Sequence, residues 1–159
     1  MFGERKLKKL LIIAHAPSIN TRALFKAVRS GAENHQVLDV SVKARAPMEA
    51  TPYDVLDADG LILGVTENLA YMAGAVKDFF DRIYYPTISK KEGMPYALYV
   101  RAGSDGTGAI RGIERIVTGL RWRAVQEPLI LRGPYNRAFE TDCEQLGLAF
   151  ASGLEAGIF

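Results

Sequence analysis

Short apolar runs alternate with segments of helical periodicity along nearly the whole chain. Leu7 and Leu10 to Ala14 read as a buried strand, and the stretch 21–34 then carries Leu24, Ala27, Val28 and Gly31 at the i, i+3, i+4, i+7 spacing of an amphipathic helix. Gly31 is expected near the end of that helix rather than at its centre. A weaker second strand, 36–42, alternates Val37 and Asp39 with Leu38 and Val40 and suits a sheet edge. After a Pro- and Ala-rich loop comes a short helix over 52–56, and Asp59-Gly60 punctuates the chain before a third strand, Leu61 to Val65. The helix expected over 74–84 places Val76, Phe79, Phe80 and Ile83 on one stripe and turns Lys77, Asp78, Asp81 and Arg82 away, with Pro86 ending it. A fourth strand covers 96–100, Ile110, Ile113, Val117 and Leu120 mark a fourth helix, and a fifth strand covers 125–131. From Glu140 onward Leu146, Phe150 and Leu154 recur every four residues on a closing helix.

Strands separated by helices require crossovers, and crossovers give a parallel sheet covered on both faces. Five such units in 159 residues predict an α/β fold of three layers. Its core is a doubly wound five-stranded parallel sheet of order 2-1-3-4-5, built as one domain over residues 1–159. No repeat, low-complexity tract or shift in composition marks a boundary.

Composition restricts the partners. The 20 Lys+Arg and 18 Asp+Glu leave a net charge of +2, which excludes a polyanion binder working through bulk electrostatics, so nucleic acid is not expected. The single cysteine, Cys143, has no internal disulfide partner, and no Cys/His spacing suits a metal, so a reducing cytoplasm is the expected setting. The basic start of the chain meets an apolar run, 10–14, that is too short for a signal peptide. No stretch reaches the ~18 apolar residues of a membrane span. The basic run reads as a solvated lead-in to the first strand.

In doubly wound sheets ligands lie beyond the carboxyl ends of the strands, where the strand order reverses. Three loops qualify. The first, His15-Ala16-Pro17-Ser18-Ile19-Asn20-Thr21-Arg22, enters a helix directly, and its small polar side chains and free N–H groups suit a phosphate dianion. The same residues suit a simple N-cap. His15 is equally suited to touch a ligand or to bond the neighbouring loop. The second loop, Thr66-Glu67-Asn68-Leu69-Ala70-Tyr71-Met72-Ala73-Gly74, offers polar groups and then apolar side chains on which a planar ligand can lie. Alternatively, Leu69 and Met72 pack into the core and Tyr71 faces solvent. The third, 101–108, holds Gly103, Gly106 and Gly108 around Ser104 and Asp105, letting backbone approach a heterocycle, or forming only a flexible turn with an N-cap.

Several known patterns fail on these loops. A dinucleotide fingerprint needs its glycines after the first strand, and a P-loop needs Gly-Lys-Ser/Thr. A phosphate-accepting receiver needs acidic residues where His15 and Gly64 stand. A hydrolase elbow at Ser104 needs a downstream histidine, and both His15 and His35 lie upstream.

The first loop with Ala23-Leu24, the stretch Gly64 to Arg82 and the 103–108 loop resemble the three FMN-binding loops of the flavodoxin-like superfamily. The similarity is greatest to its NAD(P)H-dependent FMN reductase and quinone-reductase branch. It spans Leu10 to about Leu131, and its most specific part is the second loop joined to Lys77-Asp78-Phe79-Phe80-Asp81-Arg82. The resemblance implies that Ser18, Ile19, Asn20 and Thr21 hold the FMN phosphate. It also implies that Thr66, Glu67, Asn68, Leu69, Ala70, Tyr71 and Met72, with Gly103, Ser104, Asp105 and Gly106, border the isoalloxazine. The chain departs from the family where Thr66 and Ala70 stand in place of the branch's frequent Pro and Gly, and its first loop lacks the Thr-x-Thr-Gly-x-Thr of small electron carriers.

The implied activity is an oxidoreductase in which the flavin accepts hydride from NADH or NADPH and passes it to a quinone, free flavin or similar small acceptor. No catalytic side chain or metal is needed. The second-loop backbone is expected on the N5 side and third-loop N–H groups beside N1 and O2. A carrier of electron-transfer type is the second reading, and a flavin-fold protein acting through protein contacts the third. Carriers of this fold are strongly acidic and shield the flavin with a third-loop aromatic, and this chain does neither. Arg101 and Arg111 are candidates to attract the nucleotide's phosphates. A homodimer or homotetramer is a further implication, with Tyr84, Tyr85 and Trp122 as candidate interface aromatics, although core or surface packing is the commoner use of such residues. The expectation that Thr21→Glu weakens FMN binding follows from the first-loop assignment.

Overall fold

The computed structural model describes residues 6–159, and the basic start through residue 5 lies outside them. The elements run β1 (Lys8–Ala14), α1 (Ile19–Ala32), β2 (Val40–Arg45), α2 (Pro52–Asp57), β3 (Gly60–Asn68), β4 (Tyr71–Met72), α3 (Gly74–Thr87), β5 (Pro95–Ala102), α4 (Thr107–Leu120), β6 (Arg123–Ala124), β7 (Leu129–Arg132) and α5 (Ala138–Ala156). The main sheet has the order β2-β1-β3-β5-β6 with every pair parallel, and β7 pairs with β5 beyond β6. Segments β6 and β7 are one interrupted strand, so the expected 2-1-3-4-5 order is the observed one. The interruption differs from the continuous fifth strand expected over 125–131. Val125 still donates to the Tyr96 carbonyl at 3.1 Å, but Pro128 has no N–H with which to continue the ladder.

Alternation along β1, β3 and β5 divides their side chains between two cores. Leu11, Ile13, Leu61, Leu63, Leu98 and Val100 face α3 and α4, while Leu10, Ile12, Ile62, Ala97 and Tyr99 face α1 and α5. The helices α1 and α5 cross backbone to backbone. A Cβ at Gly31 would stand 1.9 Å from the Glu144 carbonyl oxygen, and one at Gly147 would stand 2.0 Å from the Val28 carbonyl oxygen.

Four boundaries depart from the expectations. Leu7 is half exposed and lies outside β1. The second strand runs 40–45 rather than 36–42, because the Glu155 carboxylate takes the N–H groups of Leu38 at 2.8 Å and Asp39 at 2.7 Å and turns that stretch into the sheet's approach. Pro86 does not end α3. Its missing N–H falls in the last turn, which the Thr87 hydroxyl (to the Ile83 carbonyl, 2.8 Å) and the Ile88 N–H (to the Tyr84 carbonyl, 2.9 Å) keep closed. Finally, α1 begins at Ile19, two residues before the predicted start.

The Lys-Asp-Phe-Phe-Asp-Arg segment proves to be structural. Phe79 and Phe80 are fully buried, and Arg82 donates to the carbonyls of Ala50 and Pro47, both at 2.6 Å, while its Nε meets Asp78 at 2.5 Å. The arginine thereby pins the 47–50 loop to α3. Trp122 is buried against Phe80 and Tyr96, with centroids at 6.2 Å in each case, and is a core residue rather than an interface aromatic. Among the described residues no helix is long and apolar enough to cross a membrane.

Candidate functional site

Parallel pairing in register brings the carboxyl ends of β1, β3 and β5 to one edge, with Ala14 opposite Gly64 and Thr66 opposite Arg101. The three loops singled out from sequence therefore meet, and the His15 N–H joins the first to the second through the Gly64 carbonyl at 3.0 Å. Burial lowers the His15 pKa, so its imidazole is neutral at pH 7 and adds no fixed charge to the edge.

The first loop is built as a capping box. Ser18 is the N-cap of α1, and its Oγ accepts from the Thr21 N–H at 3.1 Å. Thr21 Oγ1 accepts from the Ser18 N–H at 2.9 Å, and the two hydroxyls bond each other at 2.8 Å. Thr21 is buried by this arrangement, whereas Ser18, Ile19 and Asn20 are exposed. The capping reading is thus realised, and it still leaves the Ile19 and Asn20 N–H groups without intrahelical partners. No acidic residue lies in the first turn of α1, and Arg22 stands exposed beside it.

The second loop is a hairpin that the sequence reading missed. Glu67 and Asn68 at the end of β3 pair antiparallel with Met72 and Tyr71, and the two linking residues, Leu69 at φ 51° and Ala70 at φ 61°, are both left-handed. That is the pattern of a type I′ turn, which ordinarily takes Asn-Gly. Leu69 is fully exposed at the tip, and the Ala70 carbonyl presses on α4, where a Cβ at Gly108 would lie 1.9 Å from its oxygen. Of the side chains expected to border a planar ligand, Met72 is buried in the core. The Tyr71 ring lies over Gly112 of α4, whose Cβ would meet it at 2.6 Å. Thr66 differs from both, because its Oγ1 is buried and has no hydrogen-bond partner. Relief of the left-handed strain makes Ala70→Gly stabilising by about 0.5–1 kcal/mol, read from the midpoint of urea unfolding.

Glu67 has a role that its place in the second loop did not announce. Its Oε1 accepts from the Gly106 N–H at 2.9 Å, and its Oε2 from the N–H groups of Gly108 at 3.0 Å and Ala109 at 3.3 Å. The carboxylate caps the positive end of α4, which has no side-chain cap of its own. It also takes the Gly106 N–H, one of the third-loop donors expected to face a ligand. Gly106 itself is buried with φ 87°, and Gly103, Ser104 and Asp105 remain exposed. Asp105 accepts from the Thr107 hydroxyl, and the Asp105 carbonyl accepts from Arg132 Nε at 2.5 Å. Arg101 is committed elsewhere. It donates to the carbonyls of Ala102 (2.6 Å), Leu131 (3.0 Å) and Gly133 (2.6 Å), and lies 5.3 Å over the Phe139 ring.

The edge therefore presents two free helix-terminal N–H groups, an exposed leucine and a three-residue exposed loop, over a buried threonine hydroxyl that has no partner. Such a set can hold an anion at one end and a flat apolar group at the other.

No protein-family model matches the chain. It is 30% identical over 100 residues to a flavodoxin of Aquifex aeolicus (strain VF5), a match covering 63% of this chain and 53% of that protein. The chain thus matches about half the length of this curated relative. Among solved structures it is similar to a flavodoxin from the domain Archaea, with a TM-score of 0.75 and 17% identity over 92% of this chain and 99% of the other. It is also similar to the flavodoxin, WrbA-like protein of Agrobacterium tumefaciens, with a TM-score of 0.72 and 13% identity over 95% and 99% of the two chains. The fold is the flavodoxin-like one.

Proposed function

We propose that the chain binds FMN across the carboxyl edge of the sheet and acts as an NAD(P)H-dependent reductase of quinones, free flavin or a similar small acceptor. What supports the reading most is the start of α1. The Ile19 and Asn20 N–H groups are free, no carboxylate lies in the first turn and Arg22 stands beside it, a donor set that fits a phosphate dianion. Ser18 and Thr21 hold that turn in shape through their capping box, and the Asn20 amide adds a donor. At the other end the Thr66 hydroxyl has a hydrogen bond to give, while Leu69 and the exposed 103–105 backbone offer a border for the ring system. Met72 and Glu67 act beneath that border, one by packing and one by capping α4.

When bound, the flavin supplies hydride acceptance at N5, and the protein's task is to orient it and to leave one face open to the donor. Arg22 and Arg45 at the same edge suit an anionic nucleotide, consistent with the net charge of +2. An electron carrier is the second reading, favoured by the flavodoxin names of the relatives, and it would require docking on an acidic rather than a basic partner.

Thr21→Glu is a poor test of the phosphate assignment, because glutamate at that position would complete a Ser-x-x-Glu capping box. Asn20→Glu is the better one. It puts a carboxylate on the exposed first turn, where the helix dipole tolerates it and a phosphate does not. The expected result is FMN affinity reduced about tenfold or more, by quenching of flavin fluorescence, with no fall in the thermal midpoint. Unchanged affinity would remove the assignment.

A further inference from the structure

We propose that the groove between α3 and α4 binds a nucleoside diphosphate, which on the reductase reading above is the adenosine half of the electron donor. The groove is open to solvent along its length, has a volume of about 560 Å³, within the roughly 300–1,000 Å³ typical of ligand sites, and begins directly behind the Ala70–Gly108 contact at the flavin edge. Lys77, Arg111 and Arg115 line it together with Tyr71, Tyr84 and Ile116, and no carboxylate does.

The three cations are not equivalent. Lys77 is held by Asp81 at 2.6 Å, whereas Arg111 and Arg115 pair with no carboxylate among the described residues. They stand one helical turn apart on α4, at the i, i+4 spacing at which like charges repel and weaken a helix. Two unpaired guanidinium groups in that position suit bidentate recognition of phosphate oxygens. Past them, toward the far end of the groove, Tyr84 and Ile116 supply the aromatic and aliphatic surfaces that a purine needs. From Gly108 to Ile116 the helix rises about 12 Å, so a ligand lying along it runs from the hairpin to Tyr84. Its diphosphate then meets the arginines and its free end points at the flavin edge.

The test is calorimetric titration of ADP into the full-length protein as purified. ADP has no nicotinamide, so its binding is read without any redox step. Wild-type protein is expected to bind with a Kd of about 1 mM or tighter, and Arg111→Ala/Arg115→Ala to bind about tenfold more weakly or worse. The thermal midpoint of the double variant should not fall, because both side chains are unpaired and their mutual repulsion is removed. In steady state the same variant is expected to raise KM for the nicotinamide donor.

Absence of saturable ADP binding, or equal affinity in the two proteins, would overturn the proposal. So would sedimentation showing a wild-type dimer that the double variant dissociates while ADP stays silent, since the groove would then belong to a second copy. If ADP binds through the two arginines but neither nicotinamide bleaches bound flavin, the groove assignment stands and the reductase reading fails. If a nicotinamide bleaches the flavin with one KM in both proteins, the reductase reading stands and the groove assignment fails.

Discussion

Gly147→Val is expected to destabilise the protein by about 3 kcal/mol or more, the upper end of what overpacking costs. At this position the neighbour is not a flexible side-chain tip but backbone. A Cβ would stand 2.0 Å from the Val28 carbonyl oxygen and 2.9 Å from the Ala32 nitrogen, so α1 and α5 would have to separate. The gain in intrinsic helix propensity from losing a glycine is well under 1 kcal/mol for valine and does not offset this. Gly31 makes the reciprocal contact on α1, and Gly31→Val should behave alike. Gly74 is the control: a Cβ there has nothing within 4 Å, and Gly74→Ala should leave the urea midpoint unchanged or raise it. Because α1 carries the turn proposed to hold the FMN phosphate, a Gly147→Val protein that still folds is expected to lose FMN affinity without any change at the site itself.

Glu67→Ala is the second large effect, with an expected loss of about 2–3 kcal/mol. The substitution leaves three N–H groups at the start of α4 without their acceptor and removes a negative charge from the helix's positive end. Faster amide exchange at Gly106, Gly108 and Ala109 should accompany the fall in stability, because these amides are the ones uncapped. Glu67→Gln keeps one carbonyl oxygen and should cost roughly half as much. If exchange at the three amides is unaltered, the carboxylate is not what orders the third loop.

The apolar patterns carried most of the fold, since β1, β3 and β5 are buried on both faces and leave continuous hydrophobic runs. The edges were harder to read, because polar alternation in 36–42 resembles a strand whose N–H groups in fact serve Glu155. That the three loops after β1, β3 and β5 meet at one edge was legible from strand order alone. Their internal construction was not. The hairpin at Leu69-Ala70 carries neither Asn nor Gly, so its turn type has no local signature, and Glu67 meets partners 39 to 42 positions away. The Lys-Asp-Phe-Phe-Asp-Arg helix stands out in sequence, yet its arginine fastens a neighbouring loop and its phenylalanines fill the core. A conspicuous motif beside a site can be there to hold the site's support in place.

Anaerobic titration of the FMN-loaded protein with NADH and then NADPH, followed in the visible flavin band, separates an enzyme from a carrier most directly. A reductase of this build takes up FMN and is bleached by at least one of the two nicotinamides, with the band returning on addition of a quinone. A protein that binds FMN but stays oxidised with both, and is reduced only through a separate reductase, would contradict it.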